Sequence, residues 1–227
     1  MPLTFRAASG PSLLTNSIIL DLWLMPLMSL HMTALEITHS RTAEEIAQIL
    51  DTIRLAVPNV TNHTFYRRAR LIKPMISYDG AAVALSLVPA AGEALEGSRS
   101  LADDGFTYHH LRRDLFARCQ QAGATVESRY TVPSAHLTIA RFITQEDHES
   151  VGGLAGDKII DGIRMSRWIK EIEDTNVWLE SNYWPTASGG AIQSGGQWIV
   201  GHEQGLDCRY GTLWYGGGST ERLGQGF

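Results

Sequence analysis

The stretch HLTIARF, residues 136–142, repeats the order of HMTALEI, residues 31–37: His, apolar residue, Thr, apolar residue. In an extended strand, residues i and i+2 point to one face and their neighbours to the other. His31 and Thr33 therefore share a face, with Met32 and Ala34 opposite, and the same holds for His136 and Thr138. Each strand is expected to bury its apolar residues in its own sheet and to present an imidazole beside a hydroxyl. Two such strands facing each other gather four polar groups around a space of phosphate size. Composition alone yields about 0.6 His-x-Thr matches by chance, so the weight falls on context. Both copies carry apolar residues at the second and fourth positions, and both have a helix and a hairpin nearby.

Moving outward from the first motif, Thr42 and Glu45 have capping-box spacing. Ala43, Ile46, Ala47, Ile49, Leu50 and Ile53 then follow helical spacing until Pro58. Residues 71–88 read as two strands joined at YDG, 78–80, because Asp-Gly favours positive φ. Leu111, Leu115, Cys119 and Ala122 trace a helical face that Gly123 ends. Beyond the second motif, Met165, Trp168, Ile169, Ile172 and Leu179 mark a longer helix that stops at Pro185. TASGGAIQSGG, 186–196, is a loop, and QWIVGHE with CRYGTLWYG is expected to close the chain as a hairpin around QGLD. Near the start, LLTNSIILDLWLMPLMSL is broken by Asp21 and Pro26, so it reads as a core strand and not as a membrane span. Helices and strands in this order give an α+β class with antiparallel sheets and outer helices.

A chain of 227 residues with 44% hydrophobic content can bury a sizeable core, and one large domain covering 1–227 is expected. A net charge of -5 argues against coating DNA or long RNA through phosphates, but is compatible with a small substrate or a short polynucleotide end. Neither a membrane nor a DNA partner is expected. Cys119 and Cys208 lack metal-ligand spacing and read as idle thiols of a reducing compartment, cytoplasmic or nuclear.

At its duplicated motif the sequence resembles the 2H phosphoesterase superfamily, defined by two His-x-Thr or His-x-Ser motifs, one from each lobe of a pseudo-symmetric α+β fold. The resemblance extends to YTVPSAHLTIARF, 130–142, and to the C-terminal WIVGHEQGLDCRYGTLWYGGG, which is similar to the closing strands of the fungal cyclic nucleotide phosphodiesterase-like branch. It implies a single two-lobed domain with a central cleft, and His31, Thr33, His136 and Thr138 at the catalytic positions. Only 30 residues precede His31, where family members place a strand and a helix, so a shortened first lobe is expected. Tyr130 matches a position that stacks on a base in a member trimming the 3′ end of a spliceosomal RNA, and Tyr215 on the last strand is a second candidate for substrate contact, within reach of the cleft.

The implied reaction is metal-independent and cofactor-free hydrolysis of 2′,3′-cyclic phosphates on nucleotides or RNA ends by a monomer. One His takes the nucleophile's proton, the other protonates the leaving oxygen, and the Thr hydroxyls stabilise the nonbridging oxygens. Related activities in the superfamily are 3′-end exonuclease and 2′-5′ RNA ligase chemistry in RNA processing. A nucleotide or RNA-end binder without turnover, and a structural protein keeping the fold, are the competing classes. His109 and His110 read as surface residues, since adjacent helical positions diverge. Trp198, Trp214 and Tyr215 suit sheet packing, and Arg67, Arg68 and Arg70 form a basic cluster that is either a solvated face or a track for an RNA tail.

Overall fold

The computed structural model describes residues 22–128, 134–152, 157–186, 191–213 and 217–227. Its centre is a five-stranded antiparallel sheet in the order β1-β4-β3-β2-β7, built from β1 (Leu22–Leu24), β2 (Arg70–Tyr78), β3 (Ala82–Pro89), β4 (Ala135–Phe142) and β7 (Gln197–Ile199). Two small ribbons, β5 (Glu149–Gly152) with β6 (Asp157–Ile160) and β8 (Asp207–Tyr210) with β9 (Ser219–Leu223), lie outside it. The α+β class with antiparallel sheets follows the pattern read from the sequence.

Helix α1 (Ala43–Ile53) starts at the expected capping box, with Glu45 N–H donating to Thr42 Oγ1 and Thr42 N–H donating to the Glu45 carboxylate. Pro58 does not end the helical region. It sits in the first turn of α2 (Val57–Thr61), where no N–H is needed, and α3 (His63–Tyr66) follows. A short α4 (Leu101–Asp104) precedes α5 (Tyr108–Gln121), which ends where Gly123 adopts φ 92°. Helix α6 (Gly162–Tyr183) is capped by Asp161 and ends at Trp184, before Pro185.

Both long helices cover one face of the sheet. From α5, Tyr108, Leu111 and Leu115 pack with Leu87, Ala135 and Leu137; from α6, Ile172 and Leu179 pack with Ile76, Val83 and Ala140. Because Ala135 and Leu137 face the helices, His136 and Thr138 are turned to the opposite face.

Four expectations are corrected. The first motif does not lie in a separate sheet: Met32 pairs antiparallel with Leu137, and both side chains join the α5 core. Shared burial of the two apolar residues draws the motifs together. The C-terminal hairpin does not form either, since β7 pairs with β2 and β8 pairs with β9. After β7 the chain turns away at Gly201, φ 92°, where a Cβ would meet Thr64 Oγ1 at 2.3 Å. Of the N-terminal apolar run, residues 13–21 lie outside the described residues; Leu22–Leu24 form the strand at one end of the described sheet, with Leu24 exposed and only Met25 fully buried within 22–28. At the β2–β3 turn Gly80 does not take positive φ; the Asp79 carboxylate closes the turn by accepting from the N–H groups of Ala81 and Ala82 at 2.8 and 2.9 Å.

The basic cluster at 67–70 also disperses. Arg70 is buried and paired with Asp104 at 2.6 Å, while Arg67 and Arg68 lie over the rings of Phe106 and Phe227. Asp104 further accepts from Arg99 and from Gly92 N–H. Burial pushes its carboxyl up, but Arg70, Arg99 and the Gly92 amide outweigh burial and hold it below the usual carboxylate range. The network pins the loop after β3 to the sheet.

Candidate active site

The motifs meet side by side. Extending the Met32–Leu137 register by one residue each way sets His31 beside Thr138 and Thr33 beside His136. Directly opposed residues on neighbouring strands have Cβ atoms about 4.5–5.5 Å apart. Two imidazoles and two hydroxyls thus occupy one patch on the sheet face away from α5 and α6. On the far side of β4, Ser86 of β3 stands opposite His136 and Ala84 opposite Thr138, and the Ser86 hydroxyl lies 2.6 Å from that of Ser77 on β2.

Both imidazoles are oriented from two residues upstream. His31 Nδ1 lies 2.8 Å from the Ser29 carbonyl oxygen, which only accepts, so Nδ1 carries the proton and Nε2 keeps the lone pair in the neutral ring. His136 Nδ1 lies 3.0 Å from Ser134 Oγ. The parallel exposes a longer repeat, Ser-x-His-x-Thr, at Ser29–Thr33 and Ser134–Thr138. The serines were missed in the sequence, although their identical offset was open to view.

The two rings sit in different surroundings. His31 is exposed and His136 half-buried. Burial pushes the His136 pKa below the ordinary imidazole value, with Arg112 and His31 lowering it further while a Ser134 backbone hydrogen bond and Asp79 act upward. That His31 acts on His136 at all reflects their proximity.

From the covering layer, Tyr108 of α5, fully buried, donates its hydroxyl to the Thr33 carbonyl at 3.0 Å. This contact spans 75 residues of sequence, and nothing in the local pattern signals it. Tyr130 and Tyr215, together with Trp214, lie outside the described residues. Trp198 packs against the α5 core. His110 caps α5 through Thr107, and His109 is exposed. Cys119 and Cys208 are free thiols in one apolar cluster; burial, followed by Glu221, Cys119 and Asp207, pushes Cys208 up to about 11.

Two concavities lie elsewhere. One of about 290 Å³ is lined by Thr38, Arg41 and Glu127, and one of about 420 Å³ by Leu55, Asn59 and Arg118; neither includes a motif residue. Both are shallow surface depressions flanked by paired or solvated charges, and the convergent imidazoles are the better guide to chemistry. Among the described residues, no cluster of three or more His, Cys, Asp or Glu is placed to hold a metal ion, and no helix is long and apolar enough to cross a membrane. Comparison with protein-family models, with characterised proteins and with solved structures finds no match to this chain.

Proposed function

We propose that the chain is a metal-independent phosphodiesterase that hydrolyses 2′,3′-cyclic phosphates of nucleotides or RNA ends. The observation that carries this is the antiparallel apposition of two Ser-x-His-x-Thr segments across Met32 and Leu137. Water attacks phosphorus as one imidazole takes its proton; the bond from phosphorus to the 2′ or 3′ oxygen breaks, and the other imidazole protonates that oxygen. Thr33 and Thr138 donate to the nonbridging oxygens as charge builds on them. A tautomer with Nδ1–H held by the Ser29 carbonyl leaves His31 Nε2 available for this work.

Two pseudo-symmetric lobes flanking a substrate cleft belong to this proposal, and the pairing of the two like segments at Met32 and Leu137 is what supports them. The dispersal of Arg67, Arg68 and Arg70 into ring contacts and a buried ion pair favours a small cyclic ester over a long RNA tail.

Steady-state hydrolysis of a 2′,3′-cyclic nucleotide by His31→Ala and His136→Ala tests the proposal. Each is expected to lose about 10²–10⁴ in kcat/KM with the thermal midpoint preserved. Variants as active as the parent chain would refute it.

A further inference from the structure

The first motif is held lightly. Residues 31–37 form no regular strand beyond the single Met32–Leu137 bridge, and their apolar contacts to the α5 core are non-directional. Directional anchors from other elements include Glu127 N–H donating to the Ile37 carbonyl at 2.8 Å and Tyr108 Oη donating to the Thr33 carbonyl at 3.0 Å. The second of these lands inside the motif. Tyr108 is wholly buried, and its ring already packs beside Leu137 of the second motif.

The phenol has a single proton, and it is directed at the Thr33 carbonyl.

We propose that Tyr108 is a positioning residue that locks the first motif against the second: its buried hydroxyl fixes the Thr33 backbone and, through it, His31. Tyr108 does not touch the reacting atoms. The idea builds on the phosphodiesterase reading for its kinetic consequence, but the bond itself is observable without turnover. Holding reacting groups in register matters because a misplacement of about 1 Å can cost about 10²-fold in rate.

The test uses the full chain with Thr labelled at the carbonyl carbon. In Tyr108→Phe, the ring and its packing stay, and the Thr33 carbonyl resonance is expected to move while the thermal midpoint changes little. kcat on a 2′,3′-cyclic nucleotide is expected to fall more than tenfold with KM within about twofold. An unmoved Thr33 carbonyl in Tyr108→Phe would overturn the proposal, as would a kcat loss that only tracks lost stability. Should the parent chain show no turnover, the phosphodiesterase reading fails, and the Thr33 resonance still decides whether Tyr108 holds the motif.

Discussion

His31 and His136 differ in exposure, and that difference sets the expected pH dependence. Burial, Arg112 and His31 lower the His136 pKa. Activity that requires one neutral and one charged imidazole gives a bell-shaped profile. Its acidic limb is therefore expected below about pH 6.5, the unperturbed imidazole value, whichever ring is the base; a kcat/KM profile with both limbs above that value would contradict the His136 environment. At this scale the sequence was informative, because period-two alternation alone separates His31 and Thr33 from Met32 and Ala34. The upstream serines needed only a wider window on the same repeat. Tyr108 was beyond reach: it read as one more residue near a helical start, and its bond to Thr33 comes from tertiary packing.

Elements were legible where local chemistry fixes them. The Thr42–Glu45 box, the Gly123 stop and the Asp161 to Pro185 helix all formed where caps and periodicity put them. Pairing was not, because strand partners are chosen by burial across long sequence distances. β7 reads well as half of a hairpin, but the sheet offers it β2, and Gly201 diverts the chain against Thr64. Gly201→Ala is expected to destabilise the protein by more than about 2 kcal/mol, from left-handed strain and the clash with Thr64; urea unfolding measures it, and an unchanged midpoint would show that the turn relaxes freely. Asp104→Asn strips the carboxylate from the buried Arg70 guanidinium. Losing one partner of a buried pair costs about 3–5 kcal/mol, so the same experiment should show a larger drop, with KM on the cyclic ester unaffected.

For the whole molecule, the buried rings set the acid limit. His63 is 5% exposed, and its Nε2 is 3.5 Å from Asp114 Oδ2, too far for a good hydrogen bond. Burial lowers its pKa, with Arg118 and Arg67 acting the same way and Asp114 opposing them. As pH falls below about 6.5, the unfolded chain takes up protons that His63 and His136 still refuse in the fold. Stability is therefore lost from that pH down to the folded-state values, and His63→Gln should flatten part of the slope. A stability curve independent of pH from 7 to 5 would exclude this.

The paired imidazoles are the centre of the account, and phosphorus NMR of a 2′,3′-cyclic nucleotide tests them most directly. The nucleotide is incubated in EDTA with the parent chain and, separately, with His136→Ala. Conversion of the cyclic resonance to a single monoester resonance by the parent chain alone is the predicted result. A cyclic resonance that persists with both, or decays equally with both, would contradict it.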